Sequence, residues 1–210
     1  RRRRGGAAEQ AALVVETATL GRDGSTAAGE KEAGEGGFAR RARRARRLEH
    51  DADQLVVSVR EAVRRRSDHA PILRLVEAAD DAADQLEEGA FLLEVLAKGK
   101  PGGKPLEYLG GLAEMLVEGA QEWIKALGYA ASIDHASHEE ADEFLVAVDR
   151  VTALEHAADD AERSLRYEAV RHAKDFRELH LYSELGRALE EAADALKRAS
   201  LISRDVVLGG

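Results

Sequence analysis

The sequence predicts an all-α protein made of two pseudo-symmetric three-helix bundles, six helices in all. Three observations point there. The 210 residues are 44% hydrophobic but only 4% aromatic, and Ala, Leu, Glu, Asp and Arg dominate. These strong helix formers sit on a heavily charged background, and no β-branched run of period two is present. Apolar residues recur at helical spacing through most of the chain. Finally, LEHDADQ at residues 48–54 has a near-copy, LEHAADD, at residues 154–160, so the chain is internally duplicated.

Each element has a local reason. Residues 7–20, AAEQAALVVETATL, read as a short helix that Gly21 ends. Residues 21–37 are rich in Gly, Glu and Ala with little to bury, which predicts a mobile loop. A long helix follows over 38–66, with Leu48, Ala52, Leu55, Val59 and Ala62 as its apolar stripe. Residues 67–70 break it, and Pro71 suits the first turn of the next helix. That helix carries Ile72, Val76, Ala79, Ala83, Leu86, Ala90 and Leu93 on one face. The stretch KGKPGGKP at 98–105 is the clearest linker. A helix then runs over 105–132. Ser137 and Glu140 form a capping box for a helix reaching about residue 173, and Asp175 and Glu178 have the same spacing before a last helix to about 207. The division is a first repeat over 1–98, a linker over 99–104 and a second repeat over 105–210.

Bulk properties exclude several classes. The net charge of −9 argues against a general nucleic-acid coat. With no cysteine there are no disulfides, thiolate zinc sites or cysteine nucleophiles. No apolar run approaches the roughly 18 residues that cross a membrane, and no signal-peptide pattern is visible, so a cytoplasmic location is expected. There is no Walker loop, nucleotide fingerprint or nucleophile elbow.

The duplicated motifs carry the chemistry. Glu49 and Asp53 match Glu155 and Asp159, while Asp80 and Asp84 match Glu190 and Asp194. Residues four apart share one helix face, with Cβ atoms about 5–6 Å apart. Two such carboxylates repel unless a cation sits between them. On a helical wheel every pair lies beside its apolar stripe, so neighbouring helices can face four carboxylates across one groove. The simpler reading is a solvated acidic face, which a gene duplication copies as faithfully as a site. His50 and His156 follow their glutamates by about 100° around the helix, so they are expected to point away. No cluster has the Glu-x-x-His pattern of di-iron bundles, which disfavours di-iron oxygen chemistry. Asp134, His138 and Asp142 share a spacing of four, but His138 lies inside a capping box, which favours a helix-start role. The run RRARRARR at 40–47 suits an acidic partner or lipid heads; without interleaved aromatics it does not suit nucleic acid.

The motifs LEHDAD, ADDAAD, LEHAAD and LEEAAD, two per repeat, resemble the PhoU family of phosphate-uptake regulators, most of all its branch that accompanies Pit-type phosphate transporters. The short first helix, the glycine-rich stretch behind it and the arginine run depart from that pattern. The resemblance implies a non-enzymatic accessory protein that docks on a membrane phosphate transporter or its sensor, at the inner face of the membrane; the charge and the arginine run lead to no nucleic-acid partner, and the sequence leaves oligomers open. It also implies a multinuclear metal cluster, of iron or other divalent metals, on Glu49, Asp53, Asp80 and Asp84 in one repeat and Glu155, Asp159, Glu190 and Asp194 in the other. Oxygen-only ligation suits hard or borderline cations. A metal-dependent helical enzyme and a metal-free structural bundle are the alternatives.

Overall fold

The computed structural model describes residues 35–64, 70–132 and 138–208, together with Val14, Ala18, Thr19, Arg22 and Asp23. Its long helices are α1 (Glu35–Arg64), α2 (Ala70–Ala97), α3 (Lys104–Ser132), α4 (His138–His172) and α5 (Phe176–Leu208). The all-helical expectation holds, and the described residues contain no strand. No described helix is long and apolar enough to cross a membrane.

The six-helix, two-bundle detail is not what the described residues show. They contain five long helices, and most of the expected helix over 7–20 lies outside them. Its described members Val14, Ala18 and Thr19 are helical, and Val14 and Ala18 are fully buried. The expected loop over 21–37 also lies largely outside them. Where it is described, at Arg22, Asp23 and residues 35–37, the backbone is helical. Phe38 explains the early start of α1: its ring is buried and the Arg41 guanidinium lies 5.8 Å above it, so the first turn is anchored. The buried stripe of α1 is Phe38, Ala45, Leu48, Ala52 and Val56. Val56 is buried in place of the expected Val59, which is half-buried, and Ala62 is exposed.

The packing joins the halves. Helix α3 packs along α4, α2 along α5 and α1 along α2, while α5 also touches α3 and α4. Helices α3, α4 and α5 therefore close on one another, and α2–α5 is the seam to the first half. One continuous core runs through both, from Phe38, Leu86 and Leu96 to Leu109, Leu165 and Leu196. A smaller cluster of Ala126, Phe144, Ala147 and Val148 fills the space between α3 and α4. Two repeats with separate cores would each bury too little area; sharing one core removes more apolar surface from water.

Small residues make the seam possible. Ala79, Ala82, Ala83 and Gly89 are buried on α2, and Ala188, Ala192, Ala193 and Ala195 on α5. A Cβ added at Gly89 would lie 3.5 Å from Leu189 and 3.7 Å from Leu185, which identifies α5 as its neighbour. The alanines of ADDAAD and LEEAAD are thus packing residues, and the acids of the same motifs are carried to the edges of the seam.

The turns are tied locally. The amides of Lys98, Gly99 and Lys100 donate to carbonyls three residues back, tightening the end of α2. Lys100 adopts a left-handed conformation (φ 51°) and Gly103 another (φ 78°), so the chain reverses before α3. The Glu178 amide donates to Asp175 Oδ1 at 2.9 Å, as the expected cap requires, while the Glu178 carboxylate accepts from the Lys174 amide at 2.6 Å. Ser137 lies outside the described residues.

Candidate functional site

The seam places its acids along one groove. Asp81, Asp84 and Gln85 of α2 face Glu190, Glu191, Asp194 and Arg198 of α5 around a cavity of about 220 Å³. Helix α1 brings Glu49 and Asp53 to the α2 side, and α4 brings Asp159 and Glu162 to the α5 side.

Around Asp84 the crowding is strongest. Loss of water pushes its carboxyl up to about 6, and the negative charges of Glu49, Asp53, Asp81 and Glu87 add to that. Glu49 is raised by burial, then by Asp53 and Glu87, against the opposing charges of His50 and Arg46. Of the four residues expected in this repeat, Glu49, Asp53 and Asp84 are therefore brought together. Asp80 is half-buried one turn before Asp84 on the same helix. Glu87 joins the cluster although the spacing-four pattern omits it. It stands three residues after Asp84, an equally good same-face spacing, and Arg46 of α1 holds it at 3.1 Å.

On the other side Glu190 is raised by burial, then by Asp194, Asp159, Glu162 and Glu191. Asp159, Glu190 and Asp194 are thus neighbours, as expected. Glu162, three residues after Asp159, is the residue that the pattern missed. It is 4% exposed and raised chiefly by burial, with Arg166 as its direct partner on α4.

Glu155 differs from its expected role. It is 9% exposed, and its Oε1 lies 3.0 Å from Lys197 Nζ, so an ammonium occupies the place where a cation was expected. His156 was expected to point away, yet its Nδ1 lies 3.0 Å from Glu155 Oε2. His50 is exposed and meets Gln54 at 2.9 Å. Arg198 of α5 bridges the groove to Asp81 of α2 at 3.2 Å and lies 3.7 Å from Asp194.

The donor chemistry, carboxylate oxygen throughout, suits a hard cation. The placement does not meet the requirement for one: among the described residues, no group of three or more His, Asp or Glu side chains is arranged to hold a metal ion. The carboxylates feel one another's charge without converging, and Lys197 and Arg198 already neutralise part of the band. No family model matches the chain, and no curated protein matches it.

Proposed function

We propose that this chain is a non-enzymatic, PhoU-like accessory protein of phosphate transport that docks on a membrane transporter or its sensor and gathers divalent cations, iron foremost, along its acidic groove. The observation that carries the reading is the crowding of Glu49, Asp53, Asp84 and Glu87 on one side of the α2–α5 seam and of Asp159, Glu162, Glu190 and Asp194 on the other. Within these groups Glu49, Asp84, Glu162 and Glu190 hold protons more tightly than usual, and such crowding costs stability unless a cation offsets the repulsion. In this reading α1 and α2 are the second and third helices of one repeat, and α4 and α5 those of the other. A cation would have to draw the side chains inward, and Glu155 takes no part while Lys197 holds it.

The metal-free structural bundle is favoured by a separate observation, the Arg198–Asp81 bridge that already spans the groove. Elemental analysis of protein purified without a histidine tag separates the two: the proposal expects bound iron or manganese that falls in Asp84→Asn, and metal-free protein rejects the cation part. A strain lacking the protein is expected to show altered phosphate uptake or phosphate-starvation response; normal behaviour in both rejects the transport part.

A further inference from the structure

Among the described residues, the three most exposed large apolar side chains outside the last residue of α5 fall within ten residues of one another. Phe176 is 78% exposed, Val170 71% and Tyr167 59%. They occupy the last two turns of α4 and the start of α5. Leaving three such groups in water gives up a favourable transfer that other parts of this chain achieve.

The surroundings of this patch are cationic, against a chain that is −9 overall. Lys174 Nζ donates to the carbonyls of Gly99 at 3.3 Å and Lys100 at 2.9 Å, which pins the lysine-rich linker against the α4–α5 turn. Lys98, Lys100 and Lys104 of the linker thereby join Arg171, Lys174 and Arg177 at one end of the bundle. Arg171 lies 5.2 Å over the Tyr167 ring and donates to its hydroxyl at 2.8 Å, so cation and aromatic are held together. The nearby carboxylates are engaged internally: Asp175 caps α5, Glu178 takes the Lys174 amide and ammonium, Glu94 lies 3.7 Å from Lys98 and Glu168 3.1 Å from His172, which leaves Lys100, Lys104 and Arg177 as the cations facing outward.

Beneath Phe176 lies a cleft of about 500 Å³. Val95, Leu96 and Leu181 give it an apolar floor, and Lys174, Arg177 and His180 stand at its rim with the two engaged carboxylates. The Phe176 ring is stacked on His180, with centroids 6.2 Å apart and planes 7° from parallel. An apolar floor with a cationic rim matches an amphiphile with a negative head. Exposed aromatics flanked by Lys and Arg are the composition of surfaces that lie in a membrane interface.

We propose that this end of the molecule docks on an anionic phospholipid bilayer, with Phe176 and Val170 entering the acyl boundary and Arg177, Lys100 and Lys104 meeting headgroup phosphates. The surface differs from the acidic groove in chemistry, and its use depends neither on a bound metal nor on phosphate transport. The partial burial of Phe176 supplies the apolar contribution, and the cations orient a negative chain so that this end faces the lipid.

Flotation of the full chain with vesicles tests it. Vesicles containing phosphatidylglycerol are expected to carry the protein, and pure phosphatidylcholine vesicles are not. Arg177→Glu is expected to weaken binding about fivefold or more, and Phe176→Ser about tenfold. Both side chains are exposed, and unchanged helical circular dichroism confirms that the variants fold. Added salt should release the protein. Four outcomes overturn the proposal: equal binding to neutral vesicles, binding unaffected by either variant, binding lost in Arg43→Glu/Arg44→Glu but not in Arg177→Glu, or full displacement by inorganic phosphate. Capture by a membrane protein with no binding to protein-free vesicles overturns it as well, in favour of a protein partner.

Discussion

Lys197 Nζ lies 3.0 Å from Glu155 Oε1, whereas the residue 110 positions earlier, three residues past the matching motif, is Glu87, which stands beside Glu49. The two repeats therefore carry opposite charge at this matched position. In the first repeat the counter-charge comes from α1, as Arg46 on Glu87; in the second it comes from α5, as Lys197 on Glu155. One repeat gathers carboxylates around Asp84, and the other spends an ammonium on a buried glutamate, Glu155.

Removing that ammonium should be costly. Lys197→Ala leaves Glu155 in a mostly buried place with only His156 beside it, and is expected to destabilise the protein by about 2 kcal/mol. Urea unfolding followed by the fluorescence of Trp123, the sole tryptophan and fully buried, reads this directly. Lys197→Met with Glu155→Gln should recover part of the loss, because no buried charge is then stranded. Equal stability of Lys197→Ala and the parent would show that water already serves Glu155.

The pH dependence follows from Asp84. Its carboxyl is pushed up to about 6 from an ordinary 3.8, so the folded chain binds this proton more tightly than the unfolded chain. Stability is then lost as pH rises from about 4 through about 6, and the cost is fully present at pH 7. Glu49, Glu162 and Glu190 are raised in the same sense. Metal-free protein is expected to melt at a higher temperature at pH 5 than at pH 7. Asp84→Asn should raise stability at pH 7 by about 1 kcal/mol and flatten the profile. A melting temperature that climbs from pH 5 to pH 7 would contradict the crowding.

Cations should act in the opposite pH range. A ligand that binds only the folded chain stabilises it in proportion to RT ln(1 + [L]/Kd), and protonated carboxylates bind poorly. Manganese(II) is expected to raise the melting temperature at pH 7, to do little at pH 5, and to lose most of its effect in Asp84→Asn. Magnesium is the control for simple screening. A shift that is the same at both pH values would indicate screening alone.

Two glycines separate helix propensity from packing. Gly128 on α3 is exposed and a Cβ there meets nothing within 4 Å, so Gly128→Ala should stabilise by about 0.8 kcal/mol. At Gly186 the added Cβ would lie 2.9 Å from Leu165 Cδ2, in the fully buried contact between α5 and α4. Gly186→Ala should gain nothing, and Gly186→Leu should cost about 3 kcal/mol or more. Chemical denaturation of the three variants side by side decides this.

Much of the helical order is legible in particular residues. Pro71 stands in the first turn of α2, Asp175 caps α5, and the linker lysines and glycines fall between α2 and α3, because caps and breakers act within four residues. Five of the eight candidate ligands, Glu49, Asp53, Asp84, Glu190 and Asp194, meet other carboxylates across a helix contact, and Asp159 makes a sixth. Glu87 and Glu162 were within reach of the same rule at a spacing of three.

By itself the sequence determined where helices run and which face of each is apolar, since propensity, capping and periodicity are local properties of the chain. Only the tertiary structure decided which charges meet. Glu155 and Lys197 are 42 residues apart, Asp81 and Arg198 117, and their encounters depend on how closely α5 approaches α4 and α2. That approach is set by the volumes of Ala79, Ala82, Ala83, Ala192 and Ala193 in the shared core, a property of two surfaces fitted together and not of either helix alone.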